Sequence, residues 1–260
     1  MALTPGARTV LSVFTHNIPY LPALESEVHV WLAAPGAVTD PACITRYSAM
    51  LDAREGARCR RFRFEHDRRL FLVAHALLRR ALSSYADVEP SDWRFAHGRH
   101  GRPEISAPRL SVRLRFNLSH TDGLAACVVA LEDACGIDVE RIDRSCRMRA
   151  LAAKVFAGPE RRDLQALEGS EAYRERFMTY WTLREAWCKA QGTGLAHMDR
   201  AVWFEPGRGE TVGVHGVSAH AAGAGHWHAM LRKPTAAHLL AVAVHCRGVC
   251  KPVVSRFIEP

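Results

Sequence analysis

The stretch GIDVER at residues 136–141 decides how the second half of the chain folds. Ile137 and Val139 alternate in it with Asp138 and Glu140. Because successive side chains of a strand point to opposite faces, this alternation predicts a strand that turns its apolar residues towards a core. Both carboxylates then lie together on the other face. Such a pair on a strand is most often a solvated face, so a function needs further residues beside it.

A second stretch, WTLREAWCK at residues 181–189, supplies such residues. We predict a long helix over residues 171–191 that ends at Gly192. Glu185 and Lys189 are four positions apart and share one face of this helix, as an ordinary ion pair would. Alternatively, the strand and the helix together hold a hard cation such as Mg²⁺, which binds few protein carboxylates and completes its octahedron with waters and substrate phosphates.

Two further motifs come earlier in the chain, GRP at residues 101–103 and FNLSH at residues 116–120. In this order, the four motifs resemble those of the 4′-phosphopantetheinyl transferases of the type that activates surfactin synthetase. The resemblance extends back to RCRRF at residues 58–62 and forward to the apolar run at residues 239–244. It therefore covers most of the chain.

The resemblance implies a Mg²⁺-dependent enzyme that uses coenzyme A. The hydroxyl of a carrier-protein serine would attack the β-phosphate of coenzyme A. Phosphopantetheine would stay on the acyl or peptidyl carrier protein, and adenosine 3′,5′-bisphosphate would leave. A serine hydroxyl is a weak nucleophile near neutral pH, so a general base should help to remove its proton. Glu185 is the first candidate for this base, and a metal-bound water that Glu185 orients is the alternative.

The resemblance also assigns roles to individual residues. The expected metal ligands are Asp138, Glu140 and Glu185. The expected catalytic residues are Glu185 and Lys189. The residues expected to bind coenzyme A are Arg58, Arg61, Arg102, Ser119, His120 and Lys189. The family usually carries Lys where this chain has Arg102 and Arg184, and both changes keep the positive charge. Glu55 stands where a basic residue is expected, which leaves Arg54 as its substitute.

The fold implied by the resemblance is α+β, with two pseudo-symmetric halves. Each half is a small, mainly antiparallel sheet packed with helices, and the active site lies at their interface. We place the half with the coenzyme A phosphate contacts at residues 1–135, and the half with the metal and catalytic residues at 136–260. An echo between the apolar runs at 123–129 and 238–244 agrees with a repeat. Larger members of the family are monomers, so we expect a monomer.

Local patterns complete the prediction. Strands are predicted at residues 27–32, 124–131, 201–204, 226–231 and 239–245, a helical segment at 47–85 and a short helix at 159–167. Trp181 and Trp187 are expected to pack, and Asn117 to organise a turn. We interpret His245, Cys246 and Cys250 as structural, because no convincing second pair of zinc ligands accompanies them.

Composition limits the class of protein without deciding it. The 260 residues are 48% hydrophobic and 24% charged, which suits a globular chain rather than a disordered one. The formal net charge of +8 favours an anionic partner such as a phosphorylated cofactor or the acidic recognition helix of a carrier protein.

Two other classes of protein compete with the enzyme. A non-enzymatic nucleic-acid binder would use the arginines around Phe62 and Phe64, but it leaves the ordered acidic motifs unexplained. A coenzyme A-binding regulator without catalysis would have no need of Asp138, Glu140 or Glu185. We therefore predict neither nucleic acid nor membrane as a partner. With no export signal or membrane span in the sequence, we expect a cytoplasmic protein with free thiols.

Overall fold

The computed structural model describes residues 20–98, 101–144, 147–217 and 225–257. The α-helices in this part of the chain are α1 Pro41–Met50, α2 Ala53–Arg60, α3 Glu65–Ser83, α4 Met148–Val155, α5 Gly158–Ala166 and α6 Ala172–Gln191. The strands are β1 Val28–Ala33, β2 Arg94–His97, β3 Pro103–Ala107, β4 Leu114–Thr121, β5 Leu124–Leu131, β6 Ala134–Arg141, β7 Trp203–Pro206, β8 Thr211–His215, β9 His226–Thr235, β10 His238–Cys246 and β11 Val253–Phe257. None of these helices has the length and apolar character needed to cross a membrane.

Two sheets repeat the same arrangement of strands and helices. One sheet has the order β11-β1-β5-β4, and the other has the order β6-β10-β9-β8-β7. In each sheet the first strand of the half, β1 or β6, pairs with the last, β5 or β10, and a long helix, α3 or α6, lies between them in the chain. The predicted α+β fold is confirmed. The two apolar runs that echo each other form β5 and β10, which occupy equivalent positions.

The two sheets pack against each other, and a long helix covers the outer face of each. On β5, Ala126 and Val128 belong to the core between the sheets, whereas Cys127 belongs to the core beneath α3. On β10, Val242 lies in the same inter-sheet core and Ala241 lies in the core beneath α6. Both central strands are therefore buried on both faces, which explains why their sequences are almost continuously apolar.

The helical segment predicted at residues 47–85 is broken into parts of three helices. Asp52 accepts a hydrogen bond from the backbone N–H of Glu55 at 2.8 Å, and Glu55 Oε2 accepts one from the N–H of Asp52 at 3.1 Å. This reciprocal capping box starts α2 and separates it from α1. The predicted helical character of this segment is confirmed, but it is divided among three helices, because side-chain caps interrupt the helical periodicity.

The strand predicted at residues 201–204 begins two residues later, at Trp203. Asp199 holds a turn immediately before it, because its side chain accepts a hydrogen bond from the N–H of Ala201 at 2.8 Å. Aspartate commonly stabilises turns in this way, and the backbone becomes extended only after the turn is complete.

The last strand connects the two halves. Although it follows β10 in the chain, β11 pairs in parallel with β1 of the first sheet, with Val253 opposite Val28. A division into residues 1–135 and 136–260 stays a prediction, and it needs the amendment that residues 253–257 lie in the first sheet. The chain thus returns to its first half after completing the second.

Strand β6 lies directly against helix α6 at Gly136. A Cβ atom at this position would come within 2.1 Å of the carbonyl oxygen of Ala186 and within 2.3 Å of the backbone nitrogen of Ala190. Backbone atoms cannot move aside as a flexible side chain would, so only glycine permits this approach. The contact brings the acidic strand close to the helix that carries Glu185 and Lys189.

We expect the substitution Gly136→Ala to separate β6 from α6. Overpacking of a tight contact typically destabilises a fold by about 1 to 3 kcal/mol, and the carboxylates on β6 would move relative to Lys189. Urea denaturation should therefore show a lower free energy of unfolding. Gly194→Ala is the matched control, because no atom lies within 4 Å of its added Cβ. Equal stability of the two variants would contradict this account.

Candidate active site

The two sheets meet where the edge strand β4 lies beside β6. Side chains of β4 bridge this seam. Asn117 Oδ1 accepts a hydrogen bond from the N–H of Ile137 at 3.1 Å, and Ser119 Oγ accepts one from the N–H of Val139 at 3.2 Å. Buried backbone donors need acceptors, and here two side chains provide them. Asn117 lies within a strand, so its predicted role in organising a turn is wrong.

A cluster of polar side chains lies at this seam. Lys189 Nζ is 2.6 Å from Asp138 Oδ1 and donates to Ser119 Oγ at 3.1 Å. Ser119 Oγ in turn donates to Asp138 Oδ1 at 2.9 Å. Asp138 and Ser119 are buried, and Lys189 is half-buried. The structure therefore brings together predicted residues from β4, β6 and α6.

The other two predicted metal ligands lie around this cluster. Glu140 forms an ion pair with Arg144 and accepts a hydrogen bond from Trp181 Nε1 at 3.2 Å, so Trp181 does more than pack. Burial, together with the negative charge of Asp138, raises the pKa of Glu140 and that of Glu185. Both shifts mean that the folded protein disfavours the ionised forms of these two acids, mainly because they are buried and further because Asp138 is charged.

The chemistry of these residues fits a hard divalent cation. Asp138 Oδ2 is buried and has no hydrogen-bond partner among the described atoms, so it is an orphaned anionic oxygen. The ligand oxygens of Asp138, Glu140 and Glu185 do not all lie within 4.8 Å of one another. Asp138, Glu140 and Glu185 are the residues that would hold Mg²⁺ here, and the ion would supply positive charge to the unpartnered oxygen of Asp138.

A cleft of about 480 Å³ lies on the first half, next to this cluster. The basic residues that line it are Arg54, Arg58, Arg61, His75, His97 and His120. The guanidinium of Arg58 lies 5.3 Å from the ring centroid of Phe71. The ring of His75 stacks on the same Phe71 ring, with the two centroids 4.0 Å apart. Of the predicted cofactor residues, the structure brings Arg58, Arg61 and His120 together here.

His120 connects the cleft with the acidic cluster, because it follows Ser119 on β4. Its ring remains exposed at the cleft wall. Partial loss of hydration lowers the pKa of His120, and the positive charges of His75, Lys189 and Arg58 lower it further. Cations from three separate elements thus repel one another here, and an anionic ligand would relieve this repulsion.

His75 is a cleft residue that the sequence analysis did not identify as functional. Its Nδ1 lies 2.9 Å from Glu55 Oε1, and Arg79 Nη2 donates to Glu55 Oε2 at 2.5 Å. Burial raises the pKa of Glu55, but the hydrogen bonds and charges of these two partners outweigh it and lower the pKa to about 2. The sequence did contain a signal for His75, because His75 and Arg79 are polar residues four positions apart on an otherwise apolar face of α3. Glu55 therefore holds the cleft residue His75 and the buried Arg79 in place.

Arg102 and Arg184, which stand where the family usually has lysine, bind groups of the protein outside the cleft. Arg102 donates to the carbonyl oxygens of Ala190 at 2.7 Å and Cys135 at 3.1 Å, and it does not line the cleft. Arg184 is fully buried and donates to Glu160 at 2.6 Å. The cofactor contact of Arg102 stays a prediction, and in this structure its guanidinium joins the loop before β3 to the second half. Arginine's planar fork suits two fixed carbonyls better than lysine would.

An α+β protein that holds a cationic cleft beside clustered carboxylates has the groups that a phosphorylated ligand and a divalent cation would need. Comparison with known proteins specifies the class of protein. Residues 134–242 match the 4'-phosphopantetheinyl transferase superfamily, and residues 41–132 match the N-terminal family of 4'-phosphopantetheinyl transferases.

Relatives agree with these two matches. The 4'-phosphopantetheinyl transferase HetI of Nostoc sp. is 34% identical over 184 residues, covering 70% of this chain and 75% of HetI. A putative 4'-phosphopantetheinyl transferase of Synechocystis sp. is 30% identical, covering 64% of this chain and 65% of that protein. AcpT of Salmonella typhi is 33% identical, covering 47% and 58%. The chain belongs to the 4′-phosphopantetheinyl transferase superfamily and is a transferase, not a non-enzymatic binder.

Replacing Glu185 with Gln tests whether the clustered acids form a cation site. The raised pKa of Glu185 means that its ionised form costs stability above that pKa, and that this cost is absent below the ordinary carboxyl value. Without metal, the free energy of unfolding of the variant minus that of the wild type should therefore increase as pH rises from acidic to neutral. Millimolar Mg²⁺ should raise the melting temperature of the wild type more than that of the variant.

Glu175→Gln is the matched control, because Glu175 is an acid of the same helix that pairs with Lys233 at 2.6 Å, away from the cluster. Thermal unfolding with and without Mg²⁺ measures both effects. An identical Mg²⁺ response in Glu185→Gln and Glu175→Gln would exclude Glu185 from the cation site.

Proposed function

We propose that this chain transfers the 4′-phosphopantetheine moiety of coenzyme A to a serine of an acyl or peptidyl carrier protein. The reaction depends on Mg²⁺ and releases adenosine 3′,5′-bisphosphate. The observation that carries this proposal is the direct junction of the cationic cleft and the acidic cluster at Ser119 and His120. A ligand with phosphates at both ends of this junction would meet cations at one end and a metal site at the other.

The cationic cleft receives the phosphorylated adenosine end of coenzyme A. Arg58 is held over the Phe71 ring, which limits its freedom and reduces the entropy lost on binding. Arg61 and His75 line the same cleft. Guanidinium groups form strong, directional hydrogen bonds with phosphate oxygens. We include His75 in the proposed binding site. Arg102 lies at the edge of this site, where its guanidinium binds backbone carbonyls of the second half.

The acidic cluster positions the pyrophosphate. Asp138 and Glu140 share one strand face, and the orphaned Oδ2 of Asp138 is the oxygen most in need of a cation. Mg²⁺, when bound, neutralises phosphate charge and stabilises the leaving oxygen. Asp138 and Ser119 hold the Lys189 ammonium at the seam, from where it donates hydrogen bonds to phosphate oxygens.

Glu185 accepts the proton in the transfer step. The serine oxygen of the carrier forms a bond to the β-phosphorus while the bond from that phosphorus to the bridging oxygen breaks. Adenosine 3′,5′-bisphosphate leaves with the electron pair, and the serine proton passes to Glu185. Burial raises the pKa of Glu185, which makes it a better base than an exposed carboxylate.

The carrier protein docks on the basic surface beside the cleft. Arg63, which follows α2, is exposed next to the cleft residues Arg54 and Arg61, so the basic surface continues beyond the cleft. An acidic helix of the carrier would be attracted to this surface, and such complementarity mainly speeds association. The attraction is screened by salt, so docking weakens as ionic strength rises.

The substitution Asp138→Asn should abolish most transfer while leaving the fold intact. It keeps the shape of the side chain but removes the charge that holds Lys189 and would hold Mg²⁺, so we expect a loss of about a hundredfold or more in turnover. Intact mass of an apo carrier protein after incubation with coenzyme A and Mg²⁺ measures the transfer. Asp143→Asn is the control, because Asp143 is an exposed acid that pairs with Arg141. Near-normal turnover of Asp138→Asn would contradict the proposed site.

The substitution Arg58→Ala should weaken coenzyme A binding. Losing a charged hydrogen bond to phosphate costs about 1.5 to 3 kcal/mol, so KM should rise about tenfold or more. If Arg58 contacts the 3′-phosphate, dephospho-coenzyme A should lose less affinity than coenzyme A. Arg60→Ala provides the comparison, because Arg60 lies two residues away on α2 and does not line the cleft. An equal effect of the two substitutions would show that general positive charge, rather than the cleft, binds the ligand.

A further inference from the structure

A second group of potential metal ligands lies at the far end of the second sheet. His226 begins β9, Cys246 ends β10, and Cys250 lies in the turn before β11. One ligand atom from each of the three lies within 4.8 Å of the other two. His226 Nε2 is 2.8 Å from Cys250 Sγ. No other group of three or more His, Cys, Asp or Glu side chains within the described ranges converges so closely.

The register of the sheet explains why His226 belongs to this group and His245 does not. His226 and Cys246 are directly opposite each other in the antiparallel pair of β9 and β10. Their side chains share one face, with Cβ atoms about 4.5 to 5.5 Å apart. His245 is the neighbour of Cys246, so its side chain points to the other face of the sheet. The sequence analysis found no convincing second pair of zinc ligands beside these cysteines, and the strand register supplies one cross-strand candidate, His226.

The donor set selects a soft or borderline cation. Two thiols and one imidazole offer no oxygen, so they suit Zn²⁺ and not Mg²⁺ or Ca²⁺. Tetrahedral Zn²⁺ with bonds of about 2.3 Å to sulfur and 2.0 Å to nitrogen places its ligands about 3.5 to 3.8 Å apart. Small side-chain movements would bring this group to such spacing. His226 is exposed, so water can reach a fourth coordination position.

The location of the group gives the ion a structural role. The turn at residues 247–252 carries the chain from β10 in the second sheet to β11 in the first. Cys250 packs against the core between the sheets, and Lys251 Nζ donates to the carbonyl oxygen of Leu24 at 3.1 Å. Val249, at the turn, is 88% exposed. An ion bound to Cys250 would therefore fix a turn that is exposed to solvent at Val249.

We propose that His226, Cys246 and Cys250 bind one Zn²⁺ ion, which fastens the connection between the two sheets. This site is separate from the acidic cluster. Cys246 is five residues along β10 from Ala241, the residue opposite Asp138, which corresponds to roughly 16 Å along a strand. Both cysteines bind as thiolates, so binding releases their protons.

Cobalt titration of the reduced, tag-free full chain tests this proposal. Excess Mg²⁺ keeps the carboxylates occupied, so that weak binding there does not contribute. Co²⁺ should give thiolate charge-transfer and tetrahedral absorption bands that saturate at one ion per chain, and Zn²⁺ should abolish them. Zn²⁺ should also raise the melting temperature. Absence of the thiolate bands would overturn the proposal, as would recovery of Cys246 and Cys250 as a disulfide from anaerobically purified chain.

Two variants test the proposed ligands, and a third is their control. Cys250→Ser and His226→Gln should each weaken Zn²⁺ binding by about a hundredfold or more, since even supporting residues of metal sites contribute tenfold or more. Cys59→Ser is the matched control, because Cys59 is a half-buried free cysteine on α2, far from this group in the chain. His226 is exposed, so its variant tests the site even if Cys250→Ser does not fold. Zn²⁺ affinity equal to that of Cys59→Ser in both ligand variants would overturn the assignment.

Discussion

The arrangement of this protein depends on how it satisfies the backbone of β6 where that strand meets the first sheet. The N–H groups along the edge of a sheet have no partner in the next strand, so they need other acceptors when the edge is buried. Here Asn117 and Ser119 of β4 accept from the N–H groups of Ile137 and Val139. Side chains therefore replace a backbone ladder between the sheets. This seam fixes β4 beside β6, and with it the cleft beside the carboxylates.

The second constraint acts on the opposite side of β6. Gly136 allows the strand to lie against the backbone of α6. This close contact fixes the positions of Glu185 and Lys189 relative to Asp138. Lys189 then reaches Asp138 and Ser119 at the same time. A strand held by side-chain acceptors on one side and by direct backbone packing on the other has little freedom to shift. Such rigidity is what a site for phosphate chemistry needs, since small displacements of its groups lower catalytic efficiency.

Local patterns predicted much of the fold because they record which face of an element is buried. The alternation in β6 and the spacing of Glu185 and Lys189 correctly indicated a strand and a helix. Apolar periodicity missed the break between α1 and α2, although the Asp52 and Glu55 capping box that makes the break is itself a local signal, three residues apart. Periodicity also missed His75, whose contact with Glu55 joins residues 20 positions apart. A periodicity gives the direction of a side chain but not the identity of its neighbour.

The sequence by itself determined the family to which the chain belongs, because ordered motifs are properties of the chain alone. The α+β class and the two halves were expected only through the resemblance to that family. The tertiary structure alone decided which charged groups line the cleft. Arg102 and Arg184 carry the same charge as the cleft arginines, yet they bind backbone carbonyls and a buried carboxylate. His226 joins Cys246 only through strand register. Contacts between residues distant in the chain are set by packing, and no local pattern encodes them.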